Sequence, residues 1–184
     1  MDFEKVYKML IKEFQNKKVD FALIGGQAMF FMKVTRATFD IDFMVNLNDA
    51  DKVDDIMKSS GYEIVYRTDD VANYVSENQE LGQVDFLFAH RKYSIKMLEN
   101  AVKKKVFDYE IKIIRAEDLI GLKVQAMVND NKRWYQDMAD IEKIIDKNYN
   151  EINIEKVKEY FVLFDIENEF RRIINKFNKN NETN

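Results

Sequence analysis

An α/β fold, in the α+β sense of a small mixed sheet with flanking helices followed by a C-terminal helical bundle, is predicted by three features of the 184-residue sequence. Up to about residue 115, short apolar runs of strand length are interleaved with helical patterns. From Ala116 onward apolar residues recur almost purely at helical spacing. The first apolar run ends in Gly25-Gly26, and the next carries Asp40-Ile41-Asp42. At 46 % hydrophobic, the chain is long enough for one substantial core and too short for two large domains. The expected division is a core over 1–115, a helical region over 116–178 packed on it, and a frayed polar tail over 179–184.

Val6, Met9, Leu10, Glu13 and Phe14 share a helical spacing, which predicts a helix over about 2–17. Phe21 to Ile24 is a short strand, Gln27 to Lys33 a helix, and Phe39 to Val45 a second strand. A helix over Ala50 to Ser59 stops at Gly61. Glu63 to Tyr66, Asn73 to Glu77 and Gln83 to Phe88 alternate as strands, with a turn at Glu80-Leu81-Gly82. Tyr93 to Ala101 reads as helix, Lys103-Lys104-Lys105 as the start of a charged connection, and Glu110 to Ile114 as a strand. Helices follow over 116–129, 133–147, 154–164 and 166–178, the last two forming a hairpin with apolar stripes.

A net charge of −4 argues against a general basic field that would hold nucleic acid. The absence of cysteine excludes disulfides, thiolate metal sites and cysteine nucleophiles. Met1 to Lys5 lacks the apolar run of a signal peptide, and no later stretch is long and apolar enough to span a bilayer. A cytoplasmic protein with no membrane partner is the expectation.

Alternate residues of a strand leave on the same face, so Asp40 and Asp42 would project together while Ile41, Phe43 and Val45 enter the core. They read either as solvated strand-edge charge or as a cation clamp, since side-by-side carboxylates repel unless a cation joins them. Asp85 discriminates, because it stands alone among apolar neighbours in Val84-Asp85-Phe86-Leu87-Phe88. If its strand lies beside that of Asp40 and Asp42, three carboxylates converge in the oxygen environment Mg²⁺ or Mn²⁺ requires. Gly25-Gly26 is either a tight turn or a place where backbone N–H groups meet phosphate.

Leu23-Ile24-Gly25-Gly26-Gln27-Ala28 followed by Arg36-Ala37-Thr38-Phe39-Asp40-Ile41-Asp42 resembles the signature of the DNA polymerase β-like nucleotidyltransferase superfamily. Glu117-Asp118-Leu119-Ile120-Gly121-Leu122-Lys123, then Arg133, Asp137 and Asp140-Ile141, is similar to the helical continuation of its small bacterial members. These include the toxins of abortive-infection, type IV toxin–antitoxin systems. The resemblance runs from about Phe21 to Ile145. It implies ATP or another NTP as co-substrate and two divalent ions held by Asp40, Asp42 and Asp85, with Asp85 helping to deprotonate the acceptor hydroxyl. Gly25 and Gly26 would lie against the phosphates, although many relatives carry serine where this chain has Gly26. The implied acceptor is RNA, including a tRNA 3′ end, or a protein hydroxyl, with an antitoxin protein as a further partner. A small molecule such as an antibiotic is the alternative acceptor, and a non-catalytic nucleotide-binding partner protein the alternative role. A metal-dependent glycosyltransferase fits less well with the short chain and the position of the glycine turn.

Four residues keep two readings each. Arg36 either neutralises phosphate or completes a loop, and Thr38 either orients a carboxylate or does the same. Lys123, on an apolar stripe between Leu119 and Met127, either snorkels to water or contacts a triphosphate, as the resemblance implies. Asp137 either pairs with Lys123 or holds a base or ribose. His90 is expected in a loop, Trp134 in the core or an interface, and the basic runs on solvated faces.

Overall fold

A computed structural model describes residues 1–182, with side chains to residue 178. Of the tail expected to be frayed over 179–184, the backbone is helical to Glu182, and residues 183–184 lie outside the described residues. The chain divides into two compact units, Met1–Phe31 with Thr35–Arg115, and Met32–Val34 with the chain from Ala116 onward.

The first unit opens with α1 (Phe3–Asn16), capped by the Asp2 side chain, which accepts from the Lys5 N–H. Seven strands then form one mixed sheet: β1 (Phe21–Leu23), β2 (Asp40–Asn46), β3 (Glu63–Arg67), β4 (Val71–Val75), β5 (Gln83–Ala89), β6 (Val102–Val106) and β7 (Tyr109–Ile113). Their order is β3-β4-β5-β2-β1-β7-β6. The β2–β5 and β1–β7 pairs are parallel, the others antiparallel. Between strands lie α2 (Gly25–Met29), α3 (Ala50–Ser59) and α4 (Lys92–Asn100).

One sheet face is aromatic. Phe43 on β2 and Phe86 on β5 are cross-strand partners, and Phe14 of α1 meets them edge-on with ring centroids 5.4 and 6.0 Å away. Each fully buried ring contributes on the order of 1.5–3 kcal/mol through lost apolar exposure. Because side chains alternate along a strand, this packing commits Asp40, Asp42, Gln83, Asp85 and Asn73 to the opposite face.

Two local expectations are corrected. Lys103-Lys104-Lys105 is not a connection: it is the middle of edge strand β6, paired antiparallel with β7. Three exposed lysines on a free edge discourage pairing with another chain, so the charge that resembled a loop is edge protection. The helix expected from Gln27 begins at Gly25 and lasts only to Met29, after which Phe30–Met32 tightens to a 3₁₀ turn.

The second unit contains α5 (Ala116–Asn129), α6 (Trp134–Asn148), α7 (Ile154–Leu163) and α8 (Glu167–Glu182). A Cβ on Gly121 would lie 2.8 Å from the Tyr160 ring, so the glycine lets α7 approach α5 closely. The Tyr160 hydroxyl donates to Asp118 Oδ1 at 2.6 Å across the same contact. Asn148 reaches residues 32–34, donating to the Met32 carbonyl at 2.8 Å. Among the described residues no helix is long and apolar enough to cross a membrane.

Candidate active site

Parallel pairing of β2 with β5 places Asp42 directly opposite Asp85 and Asp40 opposite Gln83. Each of Asp40, Asp42 and Asp85 offers a carboxylate oxygen within 4.8 Å of the others, all three half-buried. The register thus brings together what the sequence spreads over 45 positions. Three hard oxygen donors at this spacing fit a divalent cation such as Mg²⁺ or Mn²⁺.

A different device fixes each carboxylate. Thr38 donates its hydroxyl to Asp40 Oδ1, the orienting role that its position two residues before Asp40 allows. Asp42 lies against Gly25, whose φ of +64° is a left-handed conformation that glycine adopts without strain. A Cβ there would overlap the Asp42 carboxylate and sit 2.8 Å from the Asp42 Cβ. Gly25 is therefore required twice over, for its backbone and for its missing side chain. Asp85 receives Gln83 Nε2 on both oxygens, at 3.0 and 2.9 Å. Asn73, its cross-strand partner on β4, also hydrogen-bonds it. Burial pushes the Asp85 carboxyl up, the Asp40 charge adds to the push, and the two amides oppose it; the result is raised.

Gly26 has an explanation of its own. A Cβ at this position would meet Thr38 Oγ1 at 2.8 Å, so the Thr38 side chain fills the space a residue-26 side chain would take. Arg36 is exposed in the loop that precedes β2.

In the second unit, Lys123 and Asp137 come together, in a cluster sequence reasoning saw only in part. Lys123 Nζ donates to Asp137 Oδ1 at 3.0 Å and to Asp140 Oδ2 at 2.7 Å. Arg133 Nε donates to Asp137 Oδ2 at 2.9 Å and Gln136 Nε2 to Asp140 Oδ1 at 3.2 Å. Lys123 is 5 % exposed, Asp137 1 % and Asp140 0 %. Burial pushes the Asp137 carboxyl up, but Arg133 and Lys123 outweigh it and hold it below its ordinary value. His90 lies in a loop with Nε2 2.7 Å from Asp70 Oδ1, and Trp134 is half-buried.

Gln83 and Asn73 were passed over in the sequence. The signal for Gln83 was present, since Gln83-Val84-Asp85 repeats the polar–apolar–polar spacing of Asp40-Ile41-Asp42. Asn73 had none, because its place depends on the register of β4.

The fold is shared with known proteins at low identity. The antibiotic-resistance factor ANT(2'')-Ia superposes with a TM-score of 0.62 at 12 % identity, covering 100 % of both chains. The lincosamide antibiotic adenylyltransferase LnuA, with lincomycin bound, gives 0.56 at 18 % identity over 77 % of this chain and 95 % of its own. An antigenic nucleotidyltransferase-like protein from Paracoccidioides brasiliensis gives 0.56 at 15 % identity over 92 % of each. No curated protein matches by sequence. A family model matches residues 3–179, nearly the whole chain, and the glycine turn and the acidic cluster lie within that match: the chain is a nucleotidyltransferase and belongs to the family described as nucleotidyl transferase of unknown function (DUF2204).

Proposed function

We propose that this nucleotidyltransferase moves a nucleoside monophosphate from ATP or another NTP to an acceptor hydroxyl, using two divalent ions held by Asp40, Asp42 and Asp85. The observation that carries the proposal is the β2–β5 register, which sets Asp42 beside Asp85 with Asp40 two residues away on the same face. When bound, the ions supply electrostatic stabilisation of the attacking and leaving oxygens. Gly25 and Gly26, at the start of α2, leave backbone N–H groups for the phosphates, and Arg36 offsets phosphate charge. The acceptor oxygen bonds to the α-phosphorus, the bond to the pyrophosphate oxygen breaks, and the acceptor proton leaves toward Asp85. The buried bonds of Lys123 and Asp137 support a structural role for this pair, against the nucleotide contact the resemblance implies.

In the first reading the acceptor is RNA, including a tRNA 3′ end, or a protein hydroxyl. The chain then acts in the cytoplasm as the toxin of a toxin–antitoxin pair, restrained by an antitoxin protein. This rests on the resemblance of the glycine and aspartate motifs. The second reading, a small antibiotic-type acceptor, is favoured by the full-length likeness in fold to ANT(2'')-Ia.

Incubation with α-labelled NTPs, Mg²⁺ or Mn²⁺ and either total RNA, cell protein, or an aminoglycoside and lincosamide panel separates them. Label is expected on one acceptor class with wild type and on none with Asp42→Ala. Label on antibiotic alone would replace the first reading by the second. Growth arrest on expression, relieved by Asp42→Ala, is expected from the toxin. Failure to label any acceptor would leave nucleotide binding without transfer and sink both.

A further inference from the structure

In the acidic cluster, Asp85 is gripped by two side chains at once. β5 runs between β4 and β2, so Asp85 has Asn73 opposite it on one side and Asp42 on the other. Gln83 leaves the same face two residues earlier and brings Nε2 within 3.0 Å of both Asp85 oxygens, while facing Asp40 across the β2–β5 pair. Both donors are neutral. A lysine or arginine in either place would hold the carboxylate equally well, but would bring a positive charge that competes with a divalent cation. An amide restricts the carboxylate rotamer and leaves its charge for the ion.

We propose that Gln83 and Asn73 are positioning residues of the metal site, two neutral amides that fix the Asp85 side chain so that an oxygen faces Asp40 and Asp42. This rests on the reading of the three carboxylates as the cation site. Partners of this kind around metal ligands typically govern affinity by about 10–100-fold. Neither amide touches the reacting atoms.

The test measures Mn²⁺ affinity of the full chain by calorimetry and by the Mn²⁺ electron-spin signal, for wild type, Gln83→Met, Asn73→Leu and Asp42→Ala. Melting temperatures in EDTA are recorded beside them. Gln83→Met and Asn73→Leu, which keep the reach of the side chain and lose the donor, are expected to weaken Mn²⁺ binding about tenfold each, with EDTA melting temperatures near wild type. A fall in EDTA melting temperature with Mn²⁺ affinity unchanged would make the amides structural and overturn the proposal. Wild-type binding that Asp42→Ala abolishes and both amide variants retain would overturn the positioning role alone. No binding by wild type would overturn the cation site and the positioning role together. Should either variant fail to fold, Gln83→Asn and Asn73→Ser keep polar side chains with shorter reach and are expected to shift affinity in the same direction; wild-type affinity in both overturns the proposal.

Discussion

The two units each carry a cluster of aspartates, and the clusters are solved in opposite ways. In the second unit, Asp137 and Asp140 meet Lys123 and Arg133, so two negative charges face two positive ones, with Lys123 and both aspartates nearly sealed from solvent and Arg133 reaching in from the surface. In the first, a hydroxyl orients Asp40 and two amides hold Asp85, while the Asp42 carboxylate packs against a glycine. The hydroxyl and the amides orient Asp40 and Asp85 without cancelling their charge. Closely spaced like charges stay expensive until a cation joins them, whereas a buried, paired set is already complete and is broken by losing any member. The difference teaches that what surrounds an aspartate, more than its burial, separates a binding site from a strut.

The largest expected effect breaks the first cluster. Asp42→Ala removes a carboxylate from the proposed cation site, and the lost stabilisation of several kcal/mol corresponds to a fall in transfer rate on the order of 10³-fold or more. The labelled-NTP assay measures it. Folding in EDTA should be retained, because one of three repelling charges has gone. If the rate were unchanged, the two clusters would be alike in having no part in chemistry.

Breaking the second cluster should act on stability. Lys123→Met leaves two buried carboxylates short of a cation, a loss of about 3–5 kcal/mol measured by urea unfolding. NTP affinity per folded molecule should be unchanged. The reverse result, weakened NTP binding at wild-type stability, would restore the triphosphate contact that the resemblance implies and erase the contrast.

Gly25→Ala is the next test in size. The alanine would take a left-handed backbone conformation at a cost of about 1–2 kcal/mol, and its Cβ would displace the Asp42 carboxylate. Reduced Mn²⁺ affinity together with a lower melting temperature is expected. Lower stability with unchanged affinity would mean that Gly25 serves the turn alone.

Most of the fold was legible in the sequence because burial writes periodicity into it. Phe43, Phe86 and their neighbours alternate with polar residues, so strand assignment and the outward face of Asp40 and Asp42 followed directly. The convergence of Asp85 depended on β5 lying beside β2, an arrangement carried by strands whose paired residues are 43 positions apart rather than by any local pattern. β6 was missed because Val102-Lys103-Lys104-Lys105-Val106 has the composition of a loop; an edge strand exposed along most of its length shows no alternation. In the helical unit, Lys123 and Asp137 stood out by sequence, yet the second carboxylate on Lys123, from Asp140, follows from packing between helices.

The smallest expected effect is a difference in sign with pH. Asp85 has a raised carboxyl pKa in the fold, so the folded state keeps its proton more readily than the unfolded chain. Ionised Asp85 therefore opposes folding of the metal-free protein at neutral pH, and the penalty disappears as pH falls through the raised value. Asp137 has a lowered pKa; its contribution is complete above the ordinary carboxylate value of about 3.9 and is lost as pH falls through the folded one. Urea unfolding in EDTA from neutral to acid pH, with Asp85→Asn and Asp137→Asn as references, separates the two. Wild type should gain on Asp85→Asn as the solution is acidified, and should lose ground to Asp137→Asn only below about pH 4. Saturating Mg²⁺ should reverse the first slope, since a bound cation favours the ionised carboxylate, and leave the second as it was. Identical slopes with and without Mg²⁺ at both positions would make the acidic cluster of the sheet as structural as that of the helices.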